Sequence, residues 1–118
     1  MNERSAVLVV EDDAMVRNML CKVLARSGFR TTGCSSGEKA LTLARSSCYE
    51  AIIIDHYLPL RTGTETTKDL RILCPRSVII GISGSYEGTC FSEAGGDLFL
   101  PKPVDIPCMV QYLQSRLA

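Results

Sequence analysis

Four groups of reactive side chains each follow directly on a short apolar run. Glu11, Asp12 and Asp13 follow AVLVV, and Asp55 follows AIII. Ser83, Gly84 and Ser85 follow VIIGI, and Lys102 stands between Pro101 and Pro103 after DLFL. Carboxylates crowded together raise one another's pKa unless a cation joins them. A set of oxygen donors with positions open to water suits Mg2+. A lysine and a hydroxyl nearby would add a fixed cation and a hydrogen-bond donor. Together these groups fit a phosphoryl group, with Asp55 as the nucleophile. Asp55 also poses a problem of burial. An unpaired carboxylate at the end of a wholly apolar strand costs several kcal/mol, roughly. The expectation is that the strand delivers Asp55 to an open rim, where metal and Lys102 compensate it.

The elements that must position these groups alternate between apolar runs and helical periods. Strands are expected at Ala6–Val10, residues 29–33, Ala51–Asp55, residues 78–82 and residues 97–100. A helix over 14–27 would place Met15, Val16, Met19, Leu20, Val23 and Leu24 on one stripe, with Gly28 closing it. Ser35 with Glu38 has the spacing of a capping box for a second helix, to Ser46. Thr62 with Glu65 repeats that spacing for a third, which Pro75 stops after Leu73. The fourth, over 86–94, is short and rich in poor helix formers. The last runs over 104–117, with Ile106, Met109, Val110, Leu113 and Leu117 inward. Five apolar, non-alternating strands separated by amphipathic helices imply an α/β doubly wound parallel sheet covered on both faces. Ligands of such sheets bind beyond the carboxyl ends of the strands, where the four reactive groups lie.

The 118 residues are expected to form a single domain, 1–118, with no output domain visible in the sequence, whether it stands free or belongs to a longer chain. Thirteen basic residues balance thirteen acidic ones, so no nucleic-acid surface is expected. No apolar run reaches the ~20 residues of a membrane span, and the start lacks a cleavage-site pattern, so a cytoplasmic chain is expected. Six cysteines at 21, 34, 48, 74, 90 and 108 form no Cys-x-x-Cys pair, and His56 is the sole histidine. The cysteines therefore read as reduced, small packing residues rather than a zinc site or a disulfide scaffold. His56 follows Asp55, so strand alternation turns it to the opposite face, toward packing or surface. Asp13 reads as an N-cap.

The motifs LVVEDD (8–13), IIIDHYLPLRTG (52–63), ISGS (82–85) and LPKP (100–103) resemble those of response-regulator receiver domains of two-component signalling. The likeness runs from Ala6 to Leu117. It implies a (βα)5 flavodoxin-like fold of five strands in the order 2-1-3-4-5, here with a shortened fourth helix. It implies a phosphoacceptor switch of a phosphorelay rather than an enzyme. Asp55 would take a phosphoryl group from the phosphohistidine of a histidine kinase or phosphotransfer protein. Glu11 and Asp12 would hold Mg2+, Asp12 more directly, with Asp55 and the backbone carbonyl of Tyr57. Ser83 would be the hydroxyl switch, Lys102 the phosphoryl contact, and Lys102–Pro103 a cis bond. Phe99 takes the aromatic switch position without a hydroxyl. Thr62 stands where the family usually has an acid, and Gly84 where it has a small alanine-like residue. The face formed by the fourth helix, fifth strand and fifth helix is where receivers dimerise or meet targets.

Two alternatives belong to other classes. One is a pseudo-receiver, an interaction module that works without phosphate, suggested by the degraded fourth helix and Gly84. The other is a flavin carrier or an aspartate-based phosphohydrolase on a similar sheet. Three acids after the first strand would repel a flavin phosphate, and Tyr57 replaces the second aspartate a phosphohydrolase wants.

Overall fold

The computed structural model describes residues 4–85 and 88–117. Five strands, β1 (Ala6–Val10), β2 (Arg30–Cys34), β3 (Ala51–Asp55), β4 (Val78–Ser83) and β5 (Leu98–Pro101), form one parallel sheet in the order β2-β1-β3-β4-β5. Five helices alternate with them: α1 (Ala14–Arg26), α2 (Gly37–Ser46), α3 (Gly63–Leu73), α4 (Gly88–Glu93) and α5 (Ile106–Arg116). The pairing sets Val10 beside Ile54, and Asp55 beside Ile82. The strand ends bearing the reactive groups therefore lie along one edge of the sheet.

Alternation along the strands divides the core into two layers. Val7, Val9, Ile53, Ile80 and Ile82 pack with Leu20 and Leu24 of α1 and Met109 and Leu113 of α5. Leu8, Val10, Ile52, Ile54 and Ile79 pack on the other face with Ala40, Leu41 and Ala44 of α2, Leu70 of α3 and Phe91 of α4. Each fully buried Leu or Ile contributes about 1.5–3 kcal/mol. Gly81 leaves the space that the Phe91 ring fills, since a Cβ there would sit 2.8 Å from it. This one ring, 3% exposed, anchors the six residues of α4 to the sheet.

The helix ends follow local chemistry. Asp13 caps α1 by accepting from the backbone N–H groups of Met15 and Val16, and Gly28 follows at φ 99°, a value that glycine adopts without a Cβ penalty. Thr62 and Glu65 form the expected capping box of α3. Helix α2 differs: Ser36, not Ser35, is its N-cap and accepts from Lys39 N–H, so no Ser35–Glu38 box exists. Helix α5 begins two residues later than the periodicity suggests, because Asp105 accepts from Cys108 N–H and Pro107 fits the first turn. Strand β2 is shifted one residue along, to Arg30–Cys34. The α4 expectation began at Tyr86, which lies outside the described residues.

Two further expectations are corrected. The stripe of α1 is narrower than its period implied: Leu20 and Leu24 are buried, while Met15 is 83% and Met19 42% exposed. The six cysteines are not all reduced. Cys48 and Cys74 form a disulfide with Cα atoms 5.8 Å apart, and Cys21, Cys34, Cys90 and Cys108 are free thiols. The pair is 26 residues apart in sequence. β3 carries the chain along the sheet and α3 brings it back, so both cysteines return to the same end.

Candidate functional site

Continuing the alternation past Val9 and Ile53 puts Glu11 and Asp55 on one side of the sheet edge. Lys102 reaches them from the end of β5. Its Nζ donates to Glu11 Oε1 at 2.9 Å and to Asp55 Oδ2 at 3.1 Å. The backbone presents it from a fixed place, because Lys102 N–H donates to Ser83 O at 2.8 Å. The Lys102–Pro103 bond is cis, as the likeness implied. Asp12 stands beside them, exposed to solvent. One carboxylate oxygen from each of Glu11, Asp12 and Asp55 lies within 4.8 Å of the others.

The open rim expected for Asp55 is only partly there. The Asp55 side chain is 5% exposed and that of Glu11 1%. Both are thus buried carboxylates, and the Lys102 ion pairs supply the compensation that burial demands. Glu11 Oε2 also accepts from Asp13 N–H at 3.2 Å, and Asp55 Oδ1 accepts weakly from Tyr57 N–H at 3.4 Å. Burial pushes the Glu11 carboxyl above its ordinary value, and the nearby Asp55 charge adds to this, against the pull of Lys102 and the Asp13 N–H. Burial lowers the Lys102 ammonium, but its hydrogen bonds to Glu11 and Asp55 prevail, and its net shift is upward.

Three carboxylates and one ammonium leave two net negative charges in this corner. The donors are all hard oxygens, and Asp12 opens to water. That donor set and charge fit a hydrated Mg2+.

Gly63 shapes the loop above Asp55. Its N–H donates to His56 O at 2.7 Å, and a Cβ there would lie 2.1 Å from the Asp55 carbonyl oxygen. Any larger residue would push α3 away from the site. His56 turns to the opposite face, as alternation requires, where Nδ1 is 2.8 Å from Thr64 Oγ1 on α3. Leu60, at the loop's outermost point, has φ 70° and is 89% exposed.

Ser83 is fully buried, and its Oγ accepts from Ser85 N–H at 3.2 Å. Tyr57 arches over the β3 side, and its hydroxyl meets Ser85 Oγ at 2.6 Å, joining the two loops that flank the site. Phe99 is half-buried, 6.3 Å from Phe91. It borders an open depression of about 690 Å3 shared with Gly84, Ser85, Gly88, Thr89 and Pro101.

The structure thus joins Glu11, Asp12, Asp55 and Lys102 directly. Ser83 is tied to them through the Lys102 backbone, and Phe99 lies outside the cluster. One participant escaped the sequence reading. Arg17 Nη1 donates to the Glu11 carbonyl at 2.8 Å and so fixes the acidic turn. Its place on the inner side of α1, one turn after the acids, was the available signal.

Residues 7–114 match the family of the response regulator receiver domain. Two-component response regulator ARR22 of Arabidopsis thaliana is 32% identical over 104 residues, covering 83% of this chain and 73% of that protein. The polar-differentiation response regulator DivK of Brucella ovis is 26% identical, with 95% of each chain covered. The chain spans 27% to 49% of the length of other curated relatives, which include a cyclic di-GMP phosphodiesterase of Thermotoga maritima. The CheY-like response regulator receiver domain of Methylobacillus flagellatus superposes with a TM-score of 0.87 at 30% identity, covering 97% of this chain and 99% of that one. No helix among the described residues is long and apolar enough to cross a membrane. By sequence, fold and the arrangement of its acidic corner, the chain belongs to the response regulator receiver domain family of two-component systems.

Proposed function

We propose that Asp55 is the phosphoacceptor of a phosphorelay, and that this receiver takes its phosphoryl group from a phosphohistidine on a histidine kinase or phosphotransfer protein. The observation that carries this reading is the bridging of Glu11 and Asp55 by Lys102 Nζ within an acidic cluster at the sheet edge.

Lys102 holds Asp55 through Oδ2, while Oδ1 accepts the weak Tyr57 N–H contact, and Oδ1 is the attacking oxygen in this reading. The bond from Oδ1 to phosphorus forms as the phosphorus–nitrogen bond of the donor histidine breaks. The histidine nitrogen keeps the electron pair. Lys102 then turns from Asp55 to the arriving phosphoryl oxygens, a charge-assisted contact. Mg2+, held by Glu11, Asp12, Asp55 and the Tyr57 carbonyl, would neutralise the charge that the phosphoryl group carries. Ser83 exchanges its bond with Ser85 N–H for one to the phosphoryl group, and Phe99 moves into the space this opens. Such a switch is a shift between two populated states. Its output surface is the α4–β5–α5 face, for a second copy or a target protein. This reading places the receiver domain in the cytoplasm.

The test is intact-mass analysis after incubation with acetyl phosphate and Mg2+. Wild type gains one phosphoryl group and Asp55→Asn gains none. No gain in wild type, or an equal gain in the variant, overturns the assignment. The six-residue α4 favours a second reading, an interaction module that works without phosphate. Partner binding that is unchanged by phosphorylation would select it.

A further inference from the structure

The disulfide lies at the far end of the sheet from Asp55, where the site chemistry makes no use of it. Cys48 is in the exposed turn before β3, and Cys74 is the C-cap of α3, 2% exposed. The bond therefore closes the two ends of the 48–74 segment, which contains β3, Asp55, the access loop and α3. An open groove of about 460 Å3 runs beside it, bordered by Tyr49, Pro75, Arg76 and Leu117. Both cysteines line the groove, and Cys48 is the exposed one of the two, so an incoming thiol meets Cys48 first.

The surroundings also suit the reduced pair. Cys48 Sγ lies 3.9 Å from Ala44 O and 3.8 Å from Leu73 O, which are ready acceptors for a thiol S–H. A freed Cys74 would sit buried at a helix C-terminus, an environment that favours the neutral thiol over the thiolate. The opened Cys48 thiol therefore finds acceptors already in place. Exposed disulfides are the labile, regulatory class, and in a reducing compartment they are transient.

We propose that Cys48–Cys74 is a thiol–disulfide exchange site, opened at Cys48 by a dithiol reductant, whose state sets the stability of the β3–α3 unit. The reductant's thiolate attacks Cys48 Sγ. The Cys48–Cys74 bond breaks, a mixed disulfide forms at Cys48, and Cys74 leaves as a thiolate that takes up a proton. The second thiol of the reductant attacks its own sulfur in the mixed disulfide, releasing Cys48 as a thiol. The cystine gains two electrons and two protons, and the dithiol becomes a cyclic disulfide. An oxidised low-molecular-weight disulfide reverses the exchange. None of this depends on phosphoryl transfer, so a chain that took up no phosphoryl group would leave the proposal standing.

The test uses the whole chain, folded, with and without dithiothreitol, then quenched, denatured and alkylated. The alkylated cysteines should rise from four to six, the four free thiols plus the opened pair. The melting midpoint should fall by roughly 10 °C, and oxidised glutathione should restore it. Hydrogen exchange should quicken in residues 48–74 and stay unchanged in β2, which does not pair with β3. Cys48→Ser should melt like the reduced wild type and ignore reductant, while Cys21→Ser should keep the full response. Six alkylated cysteines without reductant, a bond that opens only in denaturant, or a midpoint unmoved by reduction would each overturn the proposal.

Discussion

Replacing Lys102 with methionine removes the cation that bridges two buried carboxylates and keeps the length of the side chain. The ammonium lies 2.9 Å from Glu11 and 3.1 Å from Asp55. At an effective dielectric constant of about 20, each pair gains roughly 5 kcal/mol before costs. Desolvation and the repulsion between the two acids offset most of that. Breaking a buried pair by removing one partner costs about 3–5 kcal/mol. Lys102 keeps 30% of its side chain in solvent, so screening reduces the loss to about 2–3 kcal/mol. For a chain of this size that is about 10 °C in melting midpoint. The sign with pH follows from the upward shift of Lys102. Its contribution is complete below the ordinary value of 10.5 and fades only as pH rises through the higher folded value. The charge count adds a second expectation. Without Lys102 the corner holds three net negative charges, so Mg2+ should bind more tightly and stabilise Lys102→Met more than wild type. Thermal melts of both proteins in chelator and in saturating Mg2+ check this. A loss under about 1 kcal/mol in chelator, or equal Mg2+ gains in the two proteins, would refute the idea that Lys102 compensates these acids.

Glu11→Gln should raise the melting midpoint in chelator at neutral pH and weaken the response to Mg2+. Burial holds the Glu11 carboxyl above its ordinary 4.5, so its stability contribution is full below that value and is lost as pH rises through the folded value; the advantage of glutamine should vanish in melts at low pH. Tyr57→Ala removes the hydroxyl that meets Ser85 Oγ and should speed loss of the phosphoryl group roughly tenfold, about 1.4 kcal/mol, in a timed mass assay. Gly63→Ala puts a methyl group against the Asp55 carbonyl oxygen and should cost about 3 kcal/mol in denaturant titration.

How far the sequence revealed this molecule depends on how local each cause is. AIIID announced a buried strand ending in a carboxylate, and the structure has it at Ala51–Asp55. Thr62 and Glu65 announced α3, because a capping box is settled within four residues. The parallel sheet followed from the alternation of strands and helices, and the strand order from the likeness of the motifs. The misses arose where distant parts of the chain decide. Nothing near Cys48 or Cys74 shows that their turns meet. Met15 and Met19 fit the helical period of α1, yet only Leu20 and Leu24 of that stripe are buried. The burial of Asp55 depends on Lys102, 47 residues away, and could be posed as a question by the apolar strand but not answered by it. Two adjacent serines before α2 offered the same cap chemistry, and backbone geometry chose Ser36.

The central claim, that Asp55 is the phosphoacceptor, is tested most directly by trapping the acyl phosphate. Borohydride reduces a phosphoaspartate to homoserine, and peptide mapping locates the change. After treatment with acetyl phosphate and Mg2+, homoserine should replace aspartate at position 55 and nowhere else. Homoserine at Asp12 or Asp13, or none at all despite intact folding, would contradict the account.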